Sequence, residues 1–142
     1  MVIEDKLREN ATLYPDKVAL VCGEKSLTYR QLYQAIKDKA DSMGDIRGCL
    51  IPIVAYSTVD FFITYFALHL TGAVAVPLHK DIPAKKLNDY AETLEQGIVP
   101  EEVADILFTT GTTGNAKAVM ISYQTIIAVS YTHLTLPTIL RV

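Results

Sequence analysis

The chain has 142 residues, a length that fits one domain or part of one. Hydrophobic residues make up 50% and charged residues 20%, a globular composition that excludes a disordered tail, a collagen-like repeat and a disulfide-stapled mini-protein. With 13 basic and 16 acidic residues the net charge is −3, so no basic excess exists to follow a nucleic-acid backbone or an anionic membrane.

The first predicted element runs from about Val2 to Tyr14. Ile3, Leu7, Ala11 and Tyr14 recur at helical spacing, with charges expected on the other face, and Pro15 ends the run. Glu4 and Asp5 stand where a secretory leader would carry positive charge. Residues 18–22 then read as a short buried strand, 23–26 as a turn and 27–29 as a return strand. Thr28 can cap a second helix with Gln31 as its capping-box partner. That helix carries Leu32, Ile36, Ala40 and Met43 on one side and stops at Gly44. Two cysteines, Cys22 and Cys49, show neither a disulfide framework nor metal-ligand spacing, which suits a reducing cytoplasmic setting.

Residues 50–55 form an apolar run without alternation, which predicts a strand buried on both faces, although Pro52 argues against a central position. Ser57 or Thr58 can cap an apolar helix from Val59 to Leu70 that Gly72 closes. The stretch from Phe61 to Leu78 is too interrupted to span a membrane, which takes roughly 20 apolar residues. Residues 73–76 continue as a strand. Pro83 opens an amphipathic helix carrying Leu87, Tyr90, Ala91 and Leu94 and ending at Gly97. Residues 104–108 form a further strand. Helices alternating with apolar strands predict an α/β fold: a mixed, largely parallel sheet flanked by helices.

Chemistry concentrates in residues 109–118, directly after that last strand. Gly111 and Gly114 permit a backbone that turns its N–H groups toward an anion. Thr109, Thr110, Thr112 and Thr113 add hydroxyl donors, and Lys117 adds a full positive charge. This lining suits a polyphosphate; the plain alternative is a polar hairpin turn with an exposed lysine. The run is not a Walker A loop, because Ala116 and Ala118 flank the lysine where that pattern needs Gly and Ser or Thr.

Phe108-Thr-Thr-Gly-Thr-Thr-Gly-Asn-Ala-Lys-Ala-Val resembles the phosphate-binding signature of the adenylate-forming superfamily: acyl-CoA synthetases, the adenylation domains of nonribosomal peptide synthetases and beetle luciferases. Tyr14-Pro-Asp-Lys-Val-Ala-Leu20, Lys25-Ser-Leu-Thr-Tyr-Arg-Gln-Leu32 and Leu70-Thr-Gly-Ala-Val-Ala-Val-Pro-Leu78 are similar to three upstream segments of the same family, in the same order. The resemblance covers residues 10–125 and makes 1–128 a partial N-terminal AMP-binding (adenylation) domain.

The resemblance implies an ATP-dependent acid–thiol ligase. A carboxylate attacks the α-phosphate of Mg-ATP, pyrophosphate leaves, and the acyl-AMP then passes its acyl group to coenzyme A or a carrier pantetheine. A fatty or aryl acid is the expected acyl donor. By carry-over Thr109, Thr110, Gly111, Thr112, Thr113, Gly114 and Lys117 hold the ATP phosphates. The family's Mg2+ ligand, nucleoside contacts, hinge and catalytic lysine are expected outside these 142 residues, so no residue here is assigned as catalytic or as a metal ligand. The alternatives are a nonribosomal adenylation domain loading an amino acid on a carrier protein, and a non-catalytic nucleotide-phosphate-binding module.

Three departures from the family pattern stand out. Ala116 replaces the usual Pro, Ala118 replaces the usual Gly, and only residues 98–103 separate the fourth helix from the next strand, where the family has a further strand and helix. Residues 129–138 resemble, letter for letter, a translated sequencing-library adapter, which makes 129–142 an expected non-native tail. Among single residues, His69 reads as a buried structural histidine, His79 as a loop histidine without a role, and Phe61, Phe62, Tyr65 and Phe66 as core packing. Asp60 suits the helix dipole, and Lys80, Lys85 and Lys86 form a solvated face.

Overall fold

The computed structural model describes residues 3–95, 99–110, 116–126, 128 and 140–141. Its elements run α1 (Ile3–Leu13), β1 (Val18–Cys22), β2 (Lys25–Thr28), α2 (Tyr29–Met43), β3 (Leu50–Ala55), α3 (Val59–Thr71), β4 (Val74–His79), α4 (Ala84–Glu95), β5 (Val103–Thr110), β6 (Ala116–Ser122) and β7 (Leu140–Arg141). The strands form two sheets, in the orders β2-β1-β7 and β3-β4-β5-β6. In the larger sheet β3, β4 and β5 are parallel and β6 returns antiparallel to β5. This is the mixed, largely parallel α/β arrangement expected from the sequence. Leu140 and Arg141 lie parallel to Leu20 and Val21 of β1.

Helix boundaries follow local chemistry. Thr28 accepts from the Gln31 backbone N–H at 3.2 Å, and the Gln31 side chain accepts from the Thr28 N–H at 2.9 Å. Two free donors at the start of α2 are thereby satisfied, and the Tyr29 and Arg30 N–H groups donate to the Lys17 and Pro15 carbonyls. Thr58 caps α3 in the same way, accepting from the Phe61 N–H. Gly72 ends α3 with φ +79°, a left-handed conformation that a Cβ would strain.

Helices pack on both faces of the larger sheet. On one face Val74, Val76, Leu78 and Ile106 meet Tyr90 of α4, whose ring stacks on Phe108 with centroids 3.8 Å apart. On the other, Ala73 and Ala75 meet Leu68 of α3. A separate core joins Leu7, Leu20, Leu32, Ile36 and Phe66 beneath α1, α2 and α3.

Three expectations change on folding. The strand at 50–55 is present, but β3 is the outermost strand of its sheet and half-exposed, not buried on both faces. An edge strand is where Pro52 costs no ladder hydrogen bond to a second neighbour. The buried face of α1 is Glu4, Leu7 and Asn10, while Tyr14 is exposed, so one charge of that helix turns inward. Of the predicted apolar side of α4, Tyr90 is buried, whereas Leu87 and Ala91 are exposed.

Candidate functional site

The strand before the glycine–threonine run is longer than its apolar residues suggest. β5 continues to Thr110, and β6 begins at Ala116, so the two strands form an antiparallel hairpin joined by residues 111–115. The register pairs Thr109 with Lys117 and Thr110 with Ala116. The lysine of the motif therefore stands on the ladder opposite the motif's first threonine, and its side chain is exposed. Gly111, Thr112, Thr113 and Gly114 lie outside the described residues, as do the side chains of Thr109 and Thr110. Ala118 sits in β6 opposite Phe108, and among the described residues every positive φ belongs to a glycine. The replacement of the family's Gly at 118 is thus accommodated by extended backbone without strain.

The hairpin opens at the carboxyl ends of the parallel strands, the side of an open α/β sheet where ligands bind. A cleft of about 360 Å³ lies there, between the end of β4, the start of α4 and Phe108, the residue before the motif. His79, Asp81, Lys86 and Tyr90 contribute to its wall. His79 Nδ1 accepts the Asp81 backbone N–H at 3.1 Å, which leaves Nε2 as the protonated nitrogen of the neutral ring. His79 is the last residue of β4, and its exposed side chain borders the cleft. Among the described residues no group of three His, Cys, Asp or Glu side chains can hold a metal ion. Both cysteines are free thiols, and no helix is long and apolar enough to cross a membrane among the described residues.

The strongest electrostatics lie deeper, below the hairpin. His69 Nδ1 is 2.9 Å from Glu4 Oε1 and His69 Nε2 is 2.7 Å from Asp105 Oδ1, with all three side chains almost fully buried. Tyr65 donates to the second Asp105 oxygen at 2.6 Å, and the Tyr123 hydroxyl donates to the His69 carbonyl at 3.4 Å. Burial opposes a charged ring, but the hydrogen bonds to Asp105 and Glu4 outweigh it and hold the His69 pKa at about 9, above its usual 6.5. Burial and the same carboxylates push the Tyr65 hydroxyl far up and the Tyr123 hydroxyl up to about 12. The structural reading of His69 holds, but its two carboxylate partners are not apparent from local sequence. The available signal is that two of the three ionisable residues interrupt an otherwise apolar stretch: His69 within α3, and Asp105 between Ala104 and Ile106.

Residues 7–99 match the family described as AMP-binding enzyme. Tyrocidine synthase 3 of Brevibacillus parabrevis is 25% identical over a 162-residue alignment that covers 86% of this chain and 2% of that protein. The 2-succinylbenzoate–CoA ligase of Bacillus cereus (strain ATCC 10987 / NRS 248) is 25% identical over 154 residues, covering 82% of this chain and 32% of the ligase. The chain therefore spans a minor part of the curated relatives it matches. Both alignments exceed the chain's own 142 residues, so these relatives carry positions with no counterpart here. Among solved structures, the Klebsiella oxytoca NpsA N-terminal subdomain in complex with 3-hydroxyanthranilyl-AMSN superposes with a TM-score of 0.73 at 24% identity. That match covers 87% of this chain and 41% of the other. VinN in complex with L-aspartate gives a TM-score of 0.74 at 19% identity, over 97% of this chain and 53% of that one. These likenesses are to the fold.

Proposed function

Because the chain belongs to the AMP-binding enzyme family, whose members are adenylate-forming ligases, we propose that it is the phosphate-gripping part of an ATP-dependent acid–thiol ligase. In the proposed reaction a carboxylate oxygen bonds to the α-phosphorus of ATP as the bond to the β-phosphate oxygen breaks. Pyrophosphate leaves, and a thiol sulfur then takes the acyl carbon from AMP, its proton passing to solvent. The observation that carries this reading is the match of residues 7–99 to the AMP-binding enzyme family, and the ladder pairing of Thr109 with Lys117 on either side of residues 111–115 supports it. That pairing places Lys117 on the strand that follows the segment whose glycines and threonines are proposed to supply N–H and O–H donors. Charge accumulates on the departing pyrophosphate, and donors already in place stabilise it without reorganising water. The residues proposed to hold the phosphates are Thr109, Thr110, Gly111, Thr112, Thr113, Gly114 and Lys117. Magnesium enters this proposal with the nucleotide; the described residues offer it no cluster of ligands.

Coenzyme A is the proposed acceptor, and the cytoplasm the proposed compartment. A second reading, in which an amino acid is loaded on a carrier pantetheine, is supported by the similarity to tyrocidine synthase 3 as directly as the first is by the similarity to 2-succinylbenzoate–CoA ligase. An acceptor assay on a protein containing this chain separates the two: acyl-CoA formation supports the first, acylation of a carrier protein alone the second.

Calorimetric titration of the chain with magnesium pyrophosphate tests the shared core of both readings. Lys117→Ala is expected to weaken binding about tenfold or more, the size of a lost charge-assisted hydrogen bond. Equal affinity in the variant, or no binding by the parent chain, would reject the assignment.

A further inference from the structure

The buried Glu4–His69–Asp105 cluster touches none of the proposed phosphate-binding residues, yet its position in the sheet gives it leverage over them. Asp105 is the residue at which β5 pairs with β4, opposite Ala75. Beyond it β5 runs from Ile106 to Thr110, paired with Met120 to Ala116 of β6, toward residues 111–115. β6 is the outer strand, with β5 as its sheet neighbour. Within the sheet the hairpin is therefore tied to β4 near its base, while farther along Phe108 stacks on Tyr90 of α4. There the cluster grips it from two sides: α1 and α3 reach Asp105 through Glu4, His69 and Tyr65, and Tyr123, immediately after β6, bonds the His69 carbonyl.

The hydrogen-bond geometry also defines the proton count. Both ring nitrogens lie within 2.9 Å of carboxylate oxygens, and a neutral imidazole has one N–H to give. Two protons must therefore be shared among His69, Glu4 and Asp105. The groups that face the ring are Glu4 from α1, Tyr65 from α3, Asp105 from β5 and Tyr123 after β6, and each tyrosine stays a neutral donor at ordinary pH. Glu4 Oε2 is buried with no hydrogen-bond partner among the described residues.

We propose that His69, doubly bonded to Glu4 and Asp105, is a positioning residue that locks the base of the β5–β6 hairpin and so holds Lys117 in register with Thr109 for a polyphosphate. The polyphosphate in this statement rests on the function proposed above; the lock does not.

Amide hydrogen exchange and pyrophosphate titration on the 142-residue chain separate the two. In His69→Gln, exchange in 105–110 and 117–121 is expected to quicken at least tenfold while β1, β2 and α2 change little, and pyrophosphate affinity is expected to fall at least fivefold at a temperature where the variant is folded. Tyr65→Phe, which removes one donor to Asp105 and leaves the ring bonded to both carboxylates, serves if His69→Gln does not fold; it is expected to quicken exchange in the same segments by a smaller factor. Unchanged exchange in the hairpin, or equal quickening in every element, would overturn the lock. Localised quickening in a chain that binds no pyrophosphate would uphold the lock and instead reject the phosphate assignment.

Discussion

At the scale of single residues, His69 sets the chain's response to alkali. Its folded pKa is raised from 6.5 to about 9, so the protonated ring favours the folded state. That contribution is fully present below pH 6.5, declines above it and is lost as pH rises through about 9. Its size is on the order of 3 kcal/mol. Urea unfolding between pH 6 and pH 10 is expected to show stability falling across this window, and His69→Gln is expected to flatten the profile. Glu4→Ala leaves the imidazolium with one buried carboxylate and should cost about 3 kcal/mol near neutral pH, read by the same unfolding curves. A loss below about 1 kcal/mol would mean that water already reaches the cluster.

At the scale of elements, ends are governed by short-range chemistry and faces by neighbours. The capping box of Thr28 and Gln31 spans four residues, which is why it is legible in the sequence and present in the fold. Thr28→Ala is expected to destabilise by about 1 kcal/mol in equilibrium unfolding. Gly72→Ala should cost about 1 kcal/mol or more, because φ is +79° there and a Cβ would stand 3.2 Å from Arg47 Cγ. Burial of β3 and α1 follows another logic. An unbroken apolar run such as Leu50–Ala55 records that a strand can be covered on both faces, while its place at the edge of the sheet decides how much cover it has. Glu4 shares the helical spacing of Leu7 and Ala11, and the partner 65 residues later makes its inward position tenable.

At the scale of the whole molecule, the larger sheet ends in two outer strands, β3 and β6, that both carry exposed apolar residues. Val54 is 42% exposed, and on the hairpin Leu107, Val119 and Met120 are 37–44% exposed. Outer strands of this kind pair with other chains unless charge blocks them. Val119→Lys is expected to lower concentration-dependent association in sedimentation velocity; association equal to that of the parent chain would place the sticky surface elsewhere. For residues 129–142 the proposal of a non-native tail stands on the adapter resemblance, and the codons for 129–138 decide it: identity to the adapter supports it, and differing codons reject it.

The sequence by itself determined the order of elements as far as β5, the helix caps, the α/β class and the glycine–threonine segment with its lysine. These are carried by contacts a few residues long and by apolar periodicity, which are written locally. The extension of β5 to Thr110, the return strand β6 and the pairing of Thr109 with Lys117 were decided by the tertiary structure, since polar residues join a strand only when a neighbour completes the ladder. The ionic cluster was decided there too. Glu4, His69 and Asp105 are 65 and 36 residues apart along the chain, and a buried charge is affordable only where folding delivers its partner.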